Sequence, residues 1–412
     1  MEKLEKLIKK IKNSVSPIPH PDDTHFCYFP FFQVVMTADG KYKPCSKYSD
    51  QITHKGNILD VSNADINTAW NSDYMVELRR KMRNNEKGPG CSECWREQAS
   101  GIKPMRYDSF NYNIPYSQVK DPKYPLRVEI NASNVCNLKC RICSSFASTK
   151  WMAEEKALFG KSEDKHLNLT LDNLNEITVW LPYIEEIGLF GGEPFLSEEN
   201  LELLRYCVKS GEAKHIRILV NTNTTVYTDE IAMLLKSFKK VYLNFSIDDI
   251  GERFEYQRKG ADWDNVVENM RKYIEYGGYS DKSQMVCKIC CTVTNMNIYY
   301  FPEFFDYLNK HFPGLPVFFN LLYNPIEYSV QILPEEVKAA IRERLQTKVK
   351  TTFKTDELLT KTVNTLVTYL DYKEEAGDFD EFFTSIERHD KYRNENFATV
   401  FPEYWDLIKK YN

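Results

Sequence analysis

Six short apolar runs, each separated from the next by a helical pattern, constrain this chain more than any other feature. Residues 126–131, 186–190, 216–221, 241–247, 285–294 and 317–322 read as strands, and every intervening segment carries apolar residues at helical spacing. Strands joined by helical crossovers pair in parallel, so the alternation predicts an α/β fold. Six such repeats predict a partial (β/α)6 barrel. In a parallel sheet the loops at the carboxyl ends of the strands converge on one mouth, so chemistry is expected there.

The flanks read differently. Residues 1–24 predict an amphipathic helix and linker, with Leu4, Leu7, Ile8 and Ile11 at helical spacing among lysines. Residues 25–120 are rich in turn formers and hold four cysteines, as expected of a small separate module ending in a Pro- and Tyr-containing linker. The barrel is expected over 121–325. Residues 326–412 predict a C-terminal helical extension, with helices near 334–350, 356–372, 379–394 and 403–411, serving as a cap or subunit contact.

Several classes of function are excluded. A formal charge of -5, from 59 acidic and 54 basic residues mixed along the chain, gives no positive field for nucleic acid. No run approaches the roughly 20 apolar residues of a membrane span, and the N-terminus lacks a signal peptide's apolar core. A cytoplasmic protein is expected. There, 11 cysteines are unlikely to form structural disulfides, and their CxxC-like clustering points to metal or redox chemistry.

Directly after the first barrel strand, VEINASNVCNLKCRIC places Cys136, Cys140 and Cys143 at the spacing C-x3-C-x2-C. Iron-sulfur clusters are usually held by four thiolates, so a compact set of three suggests an iron left open for another ligand. A zinc knuckle completed from elsewhere is the alternative. The CNLKCRIC run resembles the cluster loop of the radical S-adenosylmethionine superfamily. That resemblance implies a 4Fe-4S cluster whose open iron is chelated by the amino and carboxylate groups of S-adenosylmethionine, and reductive cleavage to a 5'-deoxyadenosyl radical that abstracts hydrogen from a substrate.

Further motifs follow in the superfamily's order. After the second strand stands GLFGGEPFL, where Gly191 and Gly192 permit unusual backbone angles and close approach to a ligand. Glu193 adds an acceptor and Pro194 stiffens the turn. The resemblance assigns this turn to the ammonium group of S-adenosylmethionine. VNTNTT and NFSIDD end the third and fourth strands and offer Asn223, Ser246 and Asp248, which turns and caps would equally favour. The resemblance directs Ser246 and Asp248 to ribose hydroxyls. FEYQRKGADWD is similar to the next superfamily loop, in which an arginine such as Arg258 can neutralise a carboxylate.

Alternation along MVCKICCTVT puts Lys288, Cys290, Thr292 and Thr294 on one face of the fifth strand and Cys287, Ile289, Cys291 and Val293 on the other. If the polar face lines the barrel, Cys290 is placed to donate a hydrogen atom to a substrate radical, as cysteines do in radical epimerases. A small buried hydrophobe is the plainer reading. Cys207 has no motif context.

Ahead of the barrel, Cys27, Cys45 and the C-x2-C pair Cys91 and Cys94 provide four thiolates, enough for a closed site. Chemistry alone suits structural zinc as well as a 4Fe-4S cluster. The spacing, with GNILDVSNADINTAWNSDYMVELRRKM between, resembles the shortened SPASM-like auxiliary-cluster module called a twitch domain. Twitch modules commonly follow the barrel, whereas this one precedes it.

The resemblance therefore implies S-adenosyl-L-methionine and two 4Fe-4S clusters, with an electron donor such as flavodoxin or ferredoxin. The expected activity is oxidation or epimerisation of a polar small molecule, a sugar-like alcohol. A peptide-modifying maturase is the alternative, set second because no additional winged-helix peptide-recognition domain precedes the module. A noncatalytic metal-binding scaffold is the third.

Overall fold

The computed structural model describes residues 22, 24–99, 103–112, 114–161, 169–352, 357–371 and 377–412. The amphipathic helix expected around residues 4–11 lies outside them. The chain builds one eight-stranded sheet from β1 (Gln33–Met36), β2 (Tyr42–Lys43), β3 (Arg127–Asn131), β4 (Glu186–Phe190), β5 (Arg217–Thr222), β6 (Lys240–Ser246), β7 (Met285–Val293) and β8 (Val317–Leu321). Their order across the sheet is β8-β7-β6-β5-β4-β3-β1-β2.

From β3 to β8 neighbouring strands are consecutive and parallel, with helices Glu198–Ser210, Asp229–Lys236, Trp263–Tyr276 and Phe301–His311 in the connections. This is the partial six-stranded α/β barrel that the six apolar runs require, each strand within one residue of its expected bounds. Burial alternates along the middle strands, as in Arg217–Thr222 and Lys240–Ser246. The fully buried set, including Ile218, Val220, Leu243, Phe245, Cys287 and Cys291, packs in the core. The other set lines the concave face.

The N-terminal module is continuous with this sheet. Its apolar run Val34, Val35 and Met36 is fully buried, and a buried strand must satisfy its backbone in a ladder. β1 does so by pairing in parallel with β3, Gln33 opposite Arg127 and Met36 opposite Ile130. On the far side of the barrel, Arg96 of helix Ser92–Ala99 lies 4.7 Å over the ring of Tyr323, just past β8. The module thus reaches both the first and the last barrel strand. The expected linker is also ordered against it: helix Tyr116–Lys120 carries Gln118, whose amide donates to Phe31 O at 2.9 Å, and Trp70 Nε1 donates to Pro122 O at 2.8 Å.

The C-terminal part is helical, with Glu335–Thr352, Glu357–Asp371, Phe379–Arg393, Phe397–Val400 and Pro402–Ile408. Among the described residues, no helix is long and apolar enough to cross a membrane.

Candidate active site

Cys136, Cys140 and Cys143 lie in the loop after β3, at the carboxyl edge of the sheet. The loop is fastened on every side. Lys139–Cys140 pairs antiparallel with Arg258–Lys259, Trp151 Nε1 donates to Cys140 O at 2.9 Å, and Asn134 Nδ2 donates to Ser145 O at 2.9 Å. The thiols are near one another and buried enough that their pKa values rise, Cys136 to about 11 and Cys143 to about 12, mainly by desolvation and then by repulsion from Cys140. Buried thiols of this kind stay protonated until a metal replaces the proton. Three donors point to the sulfurs: Leu138 N to Cys136 Sγ at 3.4 Å, Asn223 Nδ2 to the same sulfur at 3.8 Å, and Arg258 Nη1 to Cys140 Sγ at 3.9 Å. Donors aimed at thiolate sulfur fit an iron-sulfur cluster, whose potential such bonds adjust.

The glycine pair of GGEP has a specific steric cause. Gly191 has φ +111°, and a Cβ there would sit 2.6 Å from Ser133 O. At Gly192 a Cβ would sit 2.2 Å from Val135 O. The close approach to the backbone of the cluster loop allows Gly192 N to donate to Ser133 O at 2.9 Å and Glu193 N to Val135 O at 2.8 Å. Pro194 opens the short 3-10 helix Pro194–Leu196 with Glu193 as its N-cap.

Glu193 is turned inward. Its carboxylate accepts from Thr222 Oγ1 at 2.8 Å, Asn223 N at 2.7 Å and Phe195 N at 3.2 Å. Burial outweighs these bonds and raises its pKa to about 7. Asn223 stands next to Thr224, a non-glycine residue at φ 64°, and donates to Asn137 Oδ1 at 2.9 Å. The turn after β5 is thereby tied to the cluster loop.

Ser246 ends β6 at a half-buried position on the concave face. Asp248 is buried and already engaged: Arg258 Nε and Nη2 reach its Oδ2 at 2.8 and 2.7 Å, and Thr292 N donates to Oδ1 at 2.8 Å. Arg258 is thus held between the Asp248 carboxylate and the Cys140 sulfur. Cys290 faces the concave side, in register with Ser246 on β6 and Phe318 on β8. Its pKa rises to about 11, chiefly through burial. Cys207 is fully buried in the core.

Cys27, Cys45, Cys91 and Cys94 surround a single cavity that Lys47, Trp95 and Arg106 also line. Burial raises Cys27 to about 12 and holds Cys45 well above the ordinary range, with further repulsion among the thiols. Four thiols that line one cavity and repel one another electrostatically supply the donor number of a fully ligated cluster. Between this cavity and the barrel lies Glu129, on the concave face of β3, which is paired to Arg127 at 2.7 Å and fully buried.

Sequence reasoning missed Asn137, Thr222, Glu129 and Arg141; Asn137 and Thr222 find their partners in turns after other strands, Arg141 in the C-terminal region, and Glu129 on its own strand. Only Arg141 carried a usable signal, a basic residue flanking Cys140 in a loop that must be desolvated.

Comparison with known proteins agrees with this geometry. Residues 130–308 match the Radical SAM superfamily model, and residues 27–95 match SPASM, an iron-sulfur cluster-binding domain. The GTP 3',8-cyclase of Listeria welshimeri is 26% identical over 160 residues, covering 39% of this chain and 44% of that protein. The Fe-coproporphyrin III synthase of Methanosarcina barkeri is 28% identical over 224 residues, covering 53% of this chain and 50% of that protein. The chain thus spans half or less of these two relatives. Among solved structures, native anSMEcpe with bound AdoMet has 20% identity and a TM-score of 0.41, covering 56% of this chain and 62% of that one. Streptococcus suis SuiB bound to S-adenosylmethionine has 14% identity and a TM-score of 0.39, covering 72% and 67%. The two matched domains support S-adenosylmethionine and 4Fe-4S clusters as cofactors, and the SPASM match favours an iron-sulfur cluster over zinc in the N-terminal module. The chain therefore carries a Radical SAM domain, matched over residues 130–308, with a SPASM-type iron-sulfur cluster-binding domain matched ahead of it over residues 27–95.

Proposed function

We propose that this enzyme oxidises or epimerises a polar small molecule, a sugar-like alcohol, through an initial hydrogen abstraction. The observation that carries this reading is the concave face between the two thiol sets. Asn131, Asn221, Asn244, Ser246 and Cys290 all stand there half-buried, and Asn244 Nδ2 donates to Asn221 Oδ1 at 2.8 Å. Amide and hydroxyl groups in a partly enclosed space suit the hydroxyls of a neutral polar substrate, because unpaired polar groups there would be costly. The names of the two curated relatives, for a GTP cyclase and a coproporphyrin synthase, also point to small molecules.

In this reading Cys136, Cys140 and Cys143 hold the radical-generating cluster, and Cys27, Cys45, Cys91 and Cys94 hold the auxiliary one. The turn Gly191–Gly192–Glu193–Pro194 and Ser246 border the S-adenosylmethionine pocket. Asp248 acts by orienting Arg258. When bound, S-adenosylmethionine at the first cluster supplies the hydrogen-abstracting radical and the fully ligated second cluster supplies an electron acceptor. The protein's part is to orient the substrate carbon and exclude water and competing hydrogen donors. For epimerisation, Cys290 would give its S–H hydrogen atom to the substrate carbon, and one electron from the flavodoxin or ferredoxin, by way of the auxiliary cluster, with one proton from solvent would return the thiyl radical to the thiol. A flavodoxin or ferredoxin delivers the starting electron.

A peptide-modifying maturase is the second reading. The feature favouring it is β8, which ends the sheet and exposes Phe318 (61%) beside an unpaired strand edge, a surface on which an extended peptide can add a strand. The deciding experiment is anaerobic reconstitution followed by reduction and S-adenosylmethionine, with perdeuterated sugars, cyclitols and peptides offered in parallel. Deuterium in 5'-deoxyadenosine with a sugar or cyclitol supports the first reading, and deuterium only with peptides replaces it by the second.

A further inference from the structure

Of the two basic residues flanking Cys140, Arg141 pairs directly with the C-terminal helical region and Lys139 is joined to it through Glu154 and the Tyr392 ring, and that region lies beyond the residues matched to either domain. Arg141 has a fully buried side chain. Its Nη2 donates to Asp390 Oδ1 at 2.5 Å and to Glu395 Oε2 at 2.7 Å, and its guanidinium lies 3.7 Å over the Tyr256 ring. Asp390 is itself fixed by Tyr256 Oη at 2.7 Å and Phe397 N at 2.7 Å. On the other flank, Lys139 Nζ reaches the fully buried Glu154 at 2.8 Å. His389 and Arg393 contact the same carboxylate at 2.8 and 2.7 Å. A third strap joins Lys259, on the strand paired with the loop, to Glu395 at 2.9 Å.

His389 and Asp390 each adjoin Arg393 on helix Phe379–Arg393, since residues four and three apart in a helix are neighbours. One helix therefore grips both sides of Cys140. A buried guanidinium without its carboxylates carries a large desolvation cost, so this arrangement exists only with the C-terminal helix docked.

We propose that the C-terminal segment 379–401 is a latch on the radical-cluster loop, and that Arg141 is the positioning residue through which it holds Cys140 in place to ligate iron. This rests on the assignment of Cys136, Cys140 and Cys143 to the radical-generating cluster. The C-terminal helices are then a working part of that site, and the auxiliary cluster is independent of them.

The test compares the full-length wild type with Arg141→Gln, Arg141→Lys and the double variant Asp390→Asn/Glu395→Gln, all reconstituted anaerobically. Iron and sulfide content, Tm, and the electron paramagnetic resonance spectrum of the reduced protein with and without S-adenosylmethionine are measured. The latch predicts that Arg141→Gln and the double variant fall from about eight irons to about four, lose the spectral change on adding S-adenosylmethionine and keep the auxiliary signal. Arg141→Lys, which still reaches a carboxylate, recovers part of both. If Arg141→Gln and the double variant keep about eight irons and an unchanged S-adenosylmethionine response, with only a lower Tm, Arg141 is a folding contact and the latch is overturned. If either variant loses both clusters together, independence of the auxiliary site is overturned too. A wild type with about four irons and no response to S-adenosylmethionine would instead overturn the cluster assignment beneath the proposal.

Discussion

Glu193 accepts the backbone N–H of Asn223 at 2.7 Å, and this bond joins the GGEP turn after β4 to the turn after β5. Asn223 in turn points its amide at Cys136 Sγ at 3.8 Å. The Glu193 carboxylate therefore sets the position of a donor to one of the cluster-loop sulfurs.

The protonation of Glu193 makes this join pH-dependent. Its pKa is raised to about 7 in the folded chain, burial outweighing three hydrogen bonds, against an ordinary value near 4.3. The folded state thus binds more protons than the unfolded state between those two values. Its stabilising contribution is complete below the ordinary value and is lost as pH rises through 7. Denaturant unfolding of the metal-free chain at pH 5 and pH 8 should show wild type losing on the order of 3 kcal/mol. Glu193→Gln should start less stable, because its amide faces the Asn223 N–H, but show little of that pH dependence.

Gly192→Ala tests why the turn needs glycine. The added Cβ would lie 2.2 Å from Val135 O, a backbone atom that cannot move without shifting the cluster loop. The expected result is loss of about half the bound iron and at least a 100-fold fall in 5'-deoxyadenosine formation, with auxiliary iron retained. Normal iron content in the alanine variant would show that the loop yields.

Replacing Cys136, Cys140 and Cys143 together with alanine should leave about four irons and abolish 5'-deoxyadenosine. Replacing Cys91 and Cys94 should do the converse, keeping S-adenosylmethionine cleavage while removing the other four irons and substrate turnover. Cleavage surviving the triple replacement would refute the division of labour between the two sites.

Arg127 is paired with Glu129 at 2.7 Å and with Glu186 at 3.0 Å, all three nearly inaccessible. Arg127→Met leaves the buried Glu129 without its cation, while Glu186 keeps Arg217 at 3.2 Å, and the broken buried pair costs about 3–5 kcal/mol. Because β3 carries the cluster loop and pairs with β1 of the N-terminal module, the loss should appear in unfolding as destabilisation of both parts together. Separate transitions for module and barrel would contradict the shared sheet.

Cys290→Ala should still cleave S-adenosylmethionine but fail to return a hydrogen atom to the substrate. Product that retains solvent-derived hydrogen at the reacting carbon in this variant would remove Cys290 from the mechanism.

The residues themselves determined the parallel barrel, because each strand's apolar run and each helix's spacing is a local pattern that burial enforces directly. They also brought Cys136, Cys140 and Cys143 together and paired Cys91 with Cys94, since C-x3-C-x2-C and C-x2-C keep sulfurs within a few residues, whereas only the fold brings Cys27 and Cys45 to the same cavity as Cys91 and Cys94. What the tertiary structure alone decided is what those loops are fastened to. The apolar run at Val34 is compatible with a free-standing module, and only its pairing with β3 makes module and barrel one sheet. That Arg258 sits on the Asp248 carboxylate is likewise visible only in the fold. Arg141 meets Asp390 and Glu395 across some 250 residues of chain, and no local spacing encodes such a pair. Side-chain periodicity reports which face is buried, whereas the partner of a buried charge depends on which elements the fold stacks against that face.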